Sequence, residues 1–437
     1  MSFPTEPMLH LCTSDFAGKL RGKALPSHLA EDDKDLVIGW TPTNVQITCF
    51  DEIADSPFGA LGDLVIKGDL GTRVRLDFGD DGPIEDFALG DVLHLDGRPW
   101  ECCTRGVLKA ALERLNACSG LSLFGAFEHE FHLPDRIGAK GEGYGFGAFR
   151  SERRFLETVM GALRLANIEP DTIMKEYGPN QFEVTVKPAA GLNIADQAAQ
   201  LREVVRAVGE RLERRVSFAP LVEPEGIGNG VHMHLSFRDA DGRPRSYDLD
   251  GKEGMSEATS AFVAGILRHL PAILPFLAPS VVSYDRLNPH RWSAAYNNLG
   301  AQDREAAVRI CPIRNQDRAA EQFNIEVRAA DAAASPHLAL AAVVHAGSAG
   351  IEDGLIAPDA TAEDLSLLSE ADLAKRGCRR LPTSLEAALD ELEQSADVRS
   401  WFPDGLIDIY LAHKREEAKN LMGIDGAGLR DAYEAVY

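Results

Sequence analysis

Hydrophobic and polar positions follow two different patterns along this chain. Over residues 1 to 105, short apolar runs typical of β-strands alternate with turns rich in glycine and aspartate. These runs are DLVIGW, NVQITCF, DLVIKGDL, RVRLDF and DVLHLDG. We therefore expect a small β-rich domain over residues 1–105 and a second domain over residues 106–437.

The second domain mixes strands with helices. Apolar residues recur at helical spacing over 106–117, and further helices are expected over 151–167 and 194–215. Between and after them we expect a strand over 121–133, a glycine-rich loop AKGEGYGFGAF, a strand–turn–strand through YGPNQFEVTV, a strand in NGVHMHLSF, and mostly helix from HLALAAVVHAG onward. This alternation predicts an α+β or α/β domain.

No segment has the pattern of a membrane span. The most apolar run, FVAGILRHLPAILPFLAPSVV, contains Arg268, His269 and three prolines, so we expect two packed core helices. The N-terminal segment has no continuous apolar stretch of signal-peptide length. Seven cysteines, an odd number, predict reduced and mostly buried thiols. We expect a cytoplasmic protein with no membrane partner.

The charge of the chain argues against one class of partner. The formal net charge is −23 over 437 residues. Binding to phosphate backbones requires a basic surface, so a nucleic-acid partner is not expected. An acidic, solvated surface is a sufficient explanation for the charge itself.

Three strand-like segments place ionisable side chains at every second residue. These pairs are Glu128 with Glu130, His232 with His234, and Glu326 with Arg328. Residues i and i+2 of a strand project from the same face, so each pair faces one surface inside an otherwise apolar segment. Buried carboxylates repel one another and need positive charge nearby. His129 points to the opposite face and is interpreted as a structural histidine.

A fourth acidic pair flanks a predicted turn. Glu176 and Glu183 lie on either side of Gly178–Pro179, so both carboxylates can face one point. The candidate metal ligands are then Glu128, Glu130, Glu176, Glu183, His232 and Glu326. Five carboxylates with one imidazole favour Mg²⁺ or Mn²⁺, and six ligands suggest two or more ions. Each residue alone is better explained as a surface or salt-bridged side chain, whereas the joint pattern is typical of phosphoryl-transfer sites.

Arginines accompany the acidic pairs. The segment 283–310 contains Arg286, Arg291, Arg304 and Arg309. Ordinary surface charge would explain most of them, but Arg309 lies in the apolar run AAVRICP and Arg328 shares a strand face with Glu326. Buried guanidinium groups bind carboxylates and phosphates in bidentate geometry. An acidic substrate and a nucleotide are expected together, and the absence of a GxxxxGK[ST] motif excludes a P-loop.

An ordered set of motifs resembles the glutamine synthetase family, in particular its bacterial type I lineage and its γ-glutamyl-amide synthetase relatives. The motifs are SDFAGKLRGKALP, DVLHLDGRPWECCTRGVLKAAL, AFEHEF, EYGPNQFE, GNGVHMHLS, SYDRL, DREAAVR and IEVR. The resemblance implies an α+β fold, with an N-terminal β-grasp domain and a catalytic domain built on an antiparallel half-barrel sheet with helices. It also implies a homo-oligomer of stacked rings, most often a dodecamer, with active sites between subunits.

The resemblance also assigns roles to single residues. Glu130, Glu176 and Glu183 match the ligands of a first metal near the acid substrate, and Glu128, His232 and Glu326 match those of a second metal near the nucleotide phosphates. His234, Ser236 and Arg309 match nucleotide contacts. Arg286, Arg328, Gly228 and Trp292 fall at substrate-binding places, and Arg304, Arg309 and Arg328 at catalytic ones.

The activity implied is an amide synthesis in two steps. A side-chain carboxylate attacks the γ-phosphate of ATP, with Mg²⁺ or Mn²⁺ and arginines offsetting the charge. An amine then displaces phosphate from the acyl-phosphate. Positioning and electrostatics supply the catalysis in both steps.

The chain departs from the family pattern mainly on the amine side. Trp292 stands where ammonia-using members carry a loop glutamate, and an indole can pack against an alkyl or aromatic amine but cannot accept a proton. Ile227–Gly228 replaces an Asn-Gly pair near the amino acid, and Asn324 replaces a basic residue near the nucleotide. Arg379 stands where the family carries a tyrosine that is adenylylated, so that regulation is not expected.

These departures predict a ligase with a changed nucleophile: an ATP-dependent γ-glutamyl-amine synthetase acting on glutamate or a close analogue. An ammonia-using glutamine synthetase is the alternative within the class. A non-catalytic relative is a second alternative, although it would gain nothing from keeping the acidic cluster. A metal-dependent hydrolase is the third, but the chain has no HExxH-type base motif.

Overall fold

The computed structural model describes residues 4–32, 36–138, 141–224 and 226–437. Asp35 of the DLVIGW run, and Ala139 and Lys140 of the glycine-rich loop, lie outside the described residues. The first three residues of the N-terminal segment also lie outside them.

The N-terminal part of the chain forms a six-stranded sheet. Its strands are β1 (Met8–Ser14), β2 (Leu20–Pro26), β3 (Val37–Trp40), β4 (Leu64–Gly68), β5 (Val74–Leu76) and β6 (Glu85–His94), with a short helix α1 (Leu29–Asp32) between β2 and β3. The order is β2-β1-β6-β4-β3, with β5 on β6. Only β1 and β6 are parallel, since the other neighbours are antiparallel.

The rest of the chain contains an eight-stranded, curled half-barrel sheet. Its strands are β7 (Ser122–His132), β8 (Pro170–Lys175), β9 (Gln181–Val186), β10 (Ala189–Ala190), β11 (Val231–Arg238), β12 (Leu299–Gly300), β13 (Val308–Ile310) and β14 (Ile325–Val327). The order is β12-β13-β14-β11-β7-β9-β8, with β10 on β7. All its pairs are antiparallel except β12 with β13.

Helices cover the half-barrel and fill the C-terminal third. They are α2 (Thr104–Ser119), α3 (Phe146–Ser151), α4 (Arg153–Leu165), α5 (Asn193–Arg211), α6 (Glu257–Leu277), α7 (Ser283–Arg286), α8 (Ala319–Gln322), α9 (Pro336–Glu352), α10 (Glu370–Lys375), α11 (Leu385–Gln394), α12 (Ala396–Ser400), α13 (Leu406–Asn420) and α14 (Gly426–Val436). The predicted α+β class is confirmed. The division at residues 105/106 stays a prediction, since one hydrophobic core runs from Leu9 to Leu411.

Two predicted elements are wrong, and the end of the predicted glycine-rich loop is helical, since α3 begins at Phe146. NVQITCF is not a strand, because Pro42 opens a 3₁₀ turn over Pro42–Gln46 and a proline with fixed φ and no N–H suits the first turn of a helix. Beyond that turn, Ile47 makes only an isolated bridge to Ile53.

The long apolar run forms one helix, α6, instead of two. Pro271 lies inside it and cannot donate to the carbonyl of Leu267 four residues earlier. The Asn297 side-chain amide donates to that oxygen instead, at 3.1 Å, and the Tyr410 hydroxyl donates to the Pro275 oxygen at 2.7 Å. By length and composition α6 could cross a membrane, but 89% of its most apolar window is buried inside the protein.

Candidate active site

The strand register of the half-barrel gathers the predicted ionisable residues on one face. Glu130 of β7 lies opposite Glu183 of β9, and Glu128 lies opposite His232 of β11. On the same face, His234 of β11 lies opposite Glu326 of β14. Glu326 in turn lies opposite Arg309 of β13. Because the period of a strand is two, the i, i+2 pairs seen in the sequence become one continuous polar stripe.

A cavity of about 360 Å³ opens over this stripe. Ten of the fourteen predicted site residues line it: Glu128, Glu130, Glu176, Glu183, Gly228, His232, Arg286, Trp292, Arg304 and Arg328. Sequence reasoning therefore found most of the polar wall of the cavity.

The other four predicted residues lie behind or beside that wall. Glu326 is 1% exposed and forms ion pairs with Arg309, at 2.6 Å, and with Arg328. The His234 Nε2 atom lies 2.9 Å from a Glu128 oxygen. The Ser236 hydroxyl donates to the Phe124 carbonyl oxygen at 3.2 Å, so its predicted nucleotide contact stays a prediction.

Among the described residues, no group of three or more His, Cys, Asp or Glu side chains is already arranged to hold a metal ion. The donor chemistry nevertheless fits divalent cations. The His232 Nδ1 atom is buried without a hydrogen bond in the described part of the chain. It lies 3.6 Å from a Glu128 oxygen and 3.5 Å from a Glu326 oxygen. An orphaned imidazole nitrogen between two carboxylates is a ligand set for a hard or borderline cation.

Burial and neighbouring ionisable groups shift the pKa values of the acidic cluster. Burial, reinforced by repulsion from Glu176, raises the pKa of Glu130 to about 8. Burial and the neighbouring Glu128 raise the pKa of Glu183 far above its usual range. Burial also acts on Glu128, but the imidazoles of His232 and His234 hold its pKa well below its usual value. Carboxyl groups that must keep protons near neutral pH are those that a bound cation would ionise.

His234 carries positive charge toward the same cluster. Its Nδ1 atom lies 2.9 Å from the Asn324 side-chain oxygen, and Nε2 faces Glu128. Burial tends to lower the pKa of His234, but Cys311 and Glu128 together raise it well above its usual value. Asn324, noted in the sequence as a departure, therefore helps to orient this imidazole.

Three arginines close to the acidic stripe keep buried donors without a partner in the described part of the chain. Arg286 is 1% exposed and donates to the Ser293 hydroxyl at 2.7 Å and to the Ala330 carbonyl. Within the described residues, the Nε atoms of Arg286, Arg309 and Arg328 are buried without a partner. A buried donor without an acceptor is costly, so these arginines are suited to an anionic ligand.

Gly228 is required by the packing of Arg286. A Cβ atom at this position would lie 2.3 Å from the Pro220 oxygen and 2.7 Å from the Arg286 side chain. Ile227 beside it lines the cavity. The glycine therefore allows the backbone to approach the guanidinium stem closely.

The rim of the cavity is aromatic. Trp292 lies there with 48% of its surface exposed, and Tyr144 and Tyr177 line the same cavity. Sequence reasoning singled out Trp292 but missed the two tyrosines and Met174. A signal was available, because Tyr177 lies inside the EYGPNQFE motif and Tyr144 inside the glycine-rich loop.

Sequence reasoning also missed Gln181. Its side-chain amide nitrogen lies 3.0 Å from Glu130, 3.1 Å from the Gly228 oxygen and 3.2 Å from Asn229. It therefore fixes the Glu130 carboxyl group relative to the Gly228 loop.

His129 lies away from the cavity, as expected of a structural histidine. It is 1% exposed and packs between Phe127 and Phe218.

Comparisons with known proteins identify the family of this chain. Residues 5–100 match the glutamine synthetase N-terminal domain, and residues 101–424 match the glutamine synthetase catalytic domain. The gamma-glutamylpolyamine synthetase GlnA3 of Streptomyces coelicolor is 33% identical over 362 residues, covering 80% of this chain and 77% of that protein.

Two solved structures are similar over nearly their whole length. A crystal structure of a novel glutamine synthase homolog has a TM-score of 0.91, with 38% identity and 100% coverage of both chains. A GmaS/ADP complex has a TM-score of 0.81, with 25% identity, covering 98% of this chain and 96% of that one. The chain belongs to the glutamine synthetase family, whose members are ATP-dependent ligases that use divalent metal ions.

Proposed function

We propose that this protein joins the side-chain carboxylate of glutamate, or of a close analogue, to an amine other than ammonia, at the expense of ATP. The reaction would pass through an acyl-phosphate and yield a γ-glutamyl amide, ADP and phosphate. The name of the Streptomyces coelicolor relative, a gamma-glutamylpolyamine synthetase, is consistent with this proposal.

The observation that carries the proposal is the indole of Trp292 at the cavity rim. Ammonium is small and strongly hydrated, and a carboxylate binds it best. An indole offers an apolar face and a π-surface that favour the carbon chain or the cationic head of a substituted amine. Tyr144 and Tyr177 add two more aromatic rings to the lining of the same cavity.

The residues of the chain fit the first step. Arg286 and Arg328 present buried guanidinium groups to the carboxylates of the amino acid. Arg304 lines the same cavity and would offset charge on the phosphoryl group as it moves from ATP to the side-chain carboxylate. Divalent ions bound by Glu128, Glu130, Glu176, Glu183, His232 and Glu326 would supply the remaining positive charge.

In the second step the amine nitrogen bonds to the acyl carbon and the carbon–oxygen bond to phosphate breaks. The aromatic rim would hold the amine over the acyl carbon and exclude water that would hydrolyse the acyl-phosphate. The nitrogen loses a proton as the amide forms, and the leaving phosphate accepts it.

We also propose a cytoplasmic location and a ring-shaped homo-oligomer. All seven cysteines are free, as expected in a reducing compartment. Members of the glutamine synthetase family are typically oligomeric, and the stacked-ring dodecamer is the specific form proposed for this chain.

The test is phosphate release from ATP in the presence of Mg²⁺ and glutamate, with ammonium compared against alkyl, aromatic, hydroxyl- and polyamines. Turnover with one class of substituted amine and little with ammonium is expected. Turnover with ammonium alone would replace the proposal by a plain glutamine synthetase. Absence of turnover with every amine would point to a different acid substrate, with Ile227 the first residue to examine, or to a non-catalytic protein.

A further inference from the structure

The loop that carries Trp292, residues 289–293, adopts an unusual backbone. His290 has a φ of 63° and Trp292 a φ of 54°. Bulky side chains rarely occupy this left-handed region, and such residues persist only where neighbouring groups hold them. Something outside the loop must therefore maintain this conformation.

The Glu305 carboxylate is the group that contacts both residues. One oxygen accepts from the His290 backbone N–H at 3.0 Å, and the other accepts from the Trp292 backbone N–H at 3.0 Å. Backbone N–H groups that converge in this way form a concave anion site, and here a side chain of the same protein fills it.

Glu305 is itself held in position. Its backbone N–H donates to Asp303 at 2.8 Å, and Asp303 accepts from the buried Asn298 amide at 3.3 Å. Glu305 also follows Arg304, which lines the cavity. The carboxylate thus ties the Trp292 loop to the segment that carries a catalytic arginine.

Further contacts fix the other sides of the loop. Arg328 donates to the Trp292 carbonyl oxygen at 3.3 Å. The Arg291 guanidinium donates to the carbonyl oxygens of Pro224 and Gly226, at 2.7 and 3.0 Å. The loop is therefore bound to the amino-acid side of the cavity through arginines, whereas its own N–H groups are bound through Glu305.

We propose that Glu305 is a positioning residue for amine selection: its carboxylate clamps the His290 and Trp292 amides and so fixes the indole at the cavity rim. The inference rests on the proposed amine ligase, and it assigns part of the amine selectivity to a side chain that does not contact the amine. Loss of the clamp frees the indole without removing it, so amine binding weakens while the sites for ATP and glutamate persist.

The test compares Glu305→Ala and Glu305→Gln with the unmodified protein. In Glu305→Ala the KM for the preferred amine should rise on the order of tenfold. That rise corresponds to a loss of about 1.4 kcal/mol in amine binding when the two hydrogen bonds to the loop are removed. The KM values for ATP and glutamate should change less than about twofold. Glu305→Gln keeps one acceptor oxygen and should recover part of the loss.

The matched control is Glu363→Ala. Glu363 lines a neighbouring cavity together with Glu305 and pairs with Arg376 on the surface, so this variant removes the same charge without a contact to the loop. It should leave the amine KM unchanged. An equal rise in Glu363→Ala would show that general electrostatics, and not the clamp, sets the amine KM, and would overturn the inference.

A second readout does not depend on turnover. Acrylamide quenching of tryptophan fluorescence, corrected with Trp292→Phe, reports the exposure of Trp292, which is 48% in this structure. Quenching should increase in Glu305→Ala and, by a smaller amount, in Glu305→Gln. Unchanged quenching in both would overturn the clamp even if no amine supports activity, so its failure and that of the proposed function are distinguishable. If Glu305→Ala does not fold, the Glu305→Gln comparison decides.

Discussion

At the residue scale, the acidic stripe of the half-barrel destabilises the folded protein unless a cation or a proton offsets its charge. Glu130, Glu183 and Glu326 are each less than 10% exposed, and carboxylates in such positions repel one another unless a cation or a proton intervenes. Arg309 and Arg328 offset Glu326, but the glutamates of β7 and β9 have no comparable arginine among their described ion pairs. A bound cation would supply the positive charge that these glutamates lack among the described ion pairs.

Removal of one carboxylate from the stripe tests its role. We expect Glu130→Ala and Glu326→Ala each to lower kcat by at least about 100-fold with every amine. Each substitution removes a candidate metal ligand, and with it part of the charge that stabilises the transition state. Phosphate release measures the effect, and circular dichroism confirms folding. Glu391→Ala, which removes an exposed carboxylate paired with Arg379, should be neutral. Full activity in both site variants would remove the metal assignment.

The raised pKa of Glu130 makes the metal-free protein sensitive to pH. An unfolded glutamate releases its proton near pH 4.5, whereas burial holds the folded pKa of Glu130 at about 8. The folded state therefore binds more protons between these values, and its stability falls as pH rises through that window. Glu183, whose pKa is also raised, adds to the same trend.

We accordingly expect the Tm of the protein in EDTA to fall between pH 6 and pH 8. Excess Mg²⁺ should weaken that slope, because an ion stabilises the ionised carboxylates and binds the folded state. The Glu130→Gln variant should also show a weaker slope without metal. A Tm that is flat or rises over this range in EDTA would contradict the ionisation described for the cluster.

Trp292 is the residue on which amine specificity is predicted to depend. In Trp292→Glu the rim gains a carboxylate that attracts ammonium and loses the apolar face. We expect the ratio of kcat/KM for ammonium to that for the preferred amine to rise at least about tenfold, a shift of 1.4 kcal/mol. Trp292→Phe keeps an aromatic ring and should preserve the preference for the substituted amine. An unchanged amine profile in Trp292→Glu would argue against the rim as the selector.

At the scale of elements, the half-barrel depends on helices that pack very closely behind it. A Cβ atom at Gly265 of α6 would lie 2.2 Å from the Ala346 oxygen of α9, and one at Gly350 would lie 2.2 Å from the Ala261 oxygen. The two helices therefore meet backbone to backbone, and neither oxygen can move without shifting a helix.

Gly265→Ala tests this packing. We expect it to lower the free energy of unfolding by about 3 kcal/mol or to prevent folding, because overpacking of this kind forces backbone shifts. The control is Gly161→Ala in α4, where an added Cβ atom meets nothing within 4 Å. This substitution should stabilise the protein by about 0.5–1 kcal/mol, because alanine is favoured over glycine inside a helix. Denaturant unfolding measures both. Equal stability of the two variants would show that α6 and α9 separate more easily than the structure indicates.

Sequence patterns predicted the long strands and helices well, but they failed where proline was involved. The strand predicted over 121–133 is β7, Ser122–His132, because a long apolar alternation has no competing local structure. The helix predicted over 106–117 begins at Thr104 and ends at Ser119. Proline explains both errors: Pro42 opens a 3₁₀ turn where the pattern favoured a strand, whereas Pro271 is tolerated inside α6 because Asn297 satisfies the carbonyl oxygen that it leaves free.

For the site, the i, i+2 pairs were sufficient to predict a common face, but not the distances across it. That Glu130 faces Glu183 while Glu128 faces His232 follows from the register of β7, β9 and β11, which is a property of the whole sheet. The contacts of Glu305 with the Trp292 loop could not be predicted from the sequence either. They depend on the conformation of a loop, which has no hydrophobic periodicity.

At the scale of the whole molecule, assembly is the remaining expectation. A ring of subunits would place the N-terminal sheet of one chain beside the cavity of its neighbour, and the resemblance to glutamine synthetases implies this arrangement. We expect light scattering to give a mass of about 570 kDa, twelve times the 47.5 kDa of one chain. Specific activity should fall on dilution below the concentration at which the rings dissociate, because each site would lack part of its wall. A monomer of 47.5 kDa with full activity would show that the cavity described here is complete within a single chain.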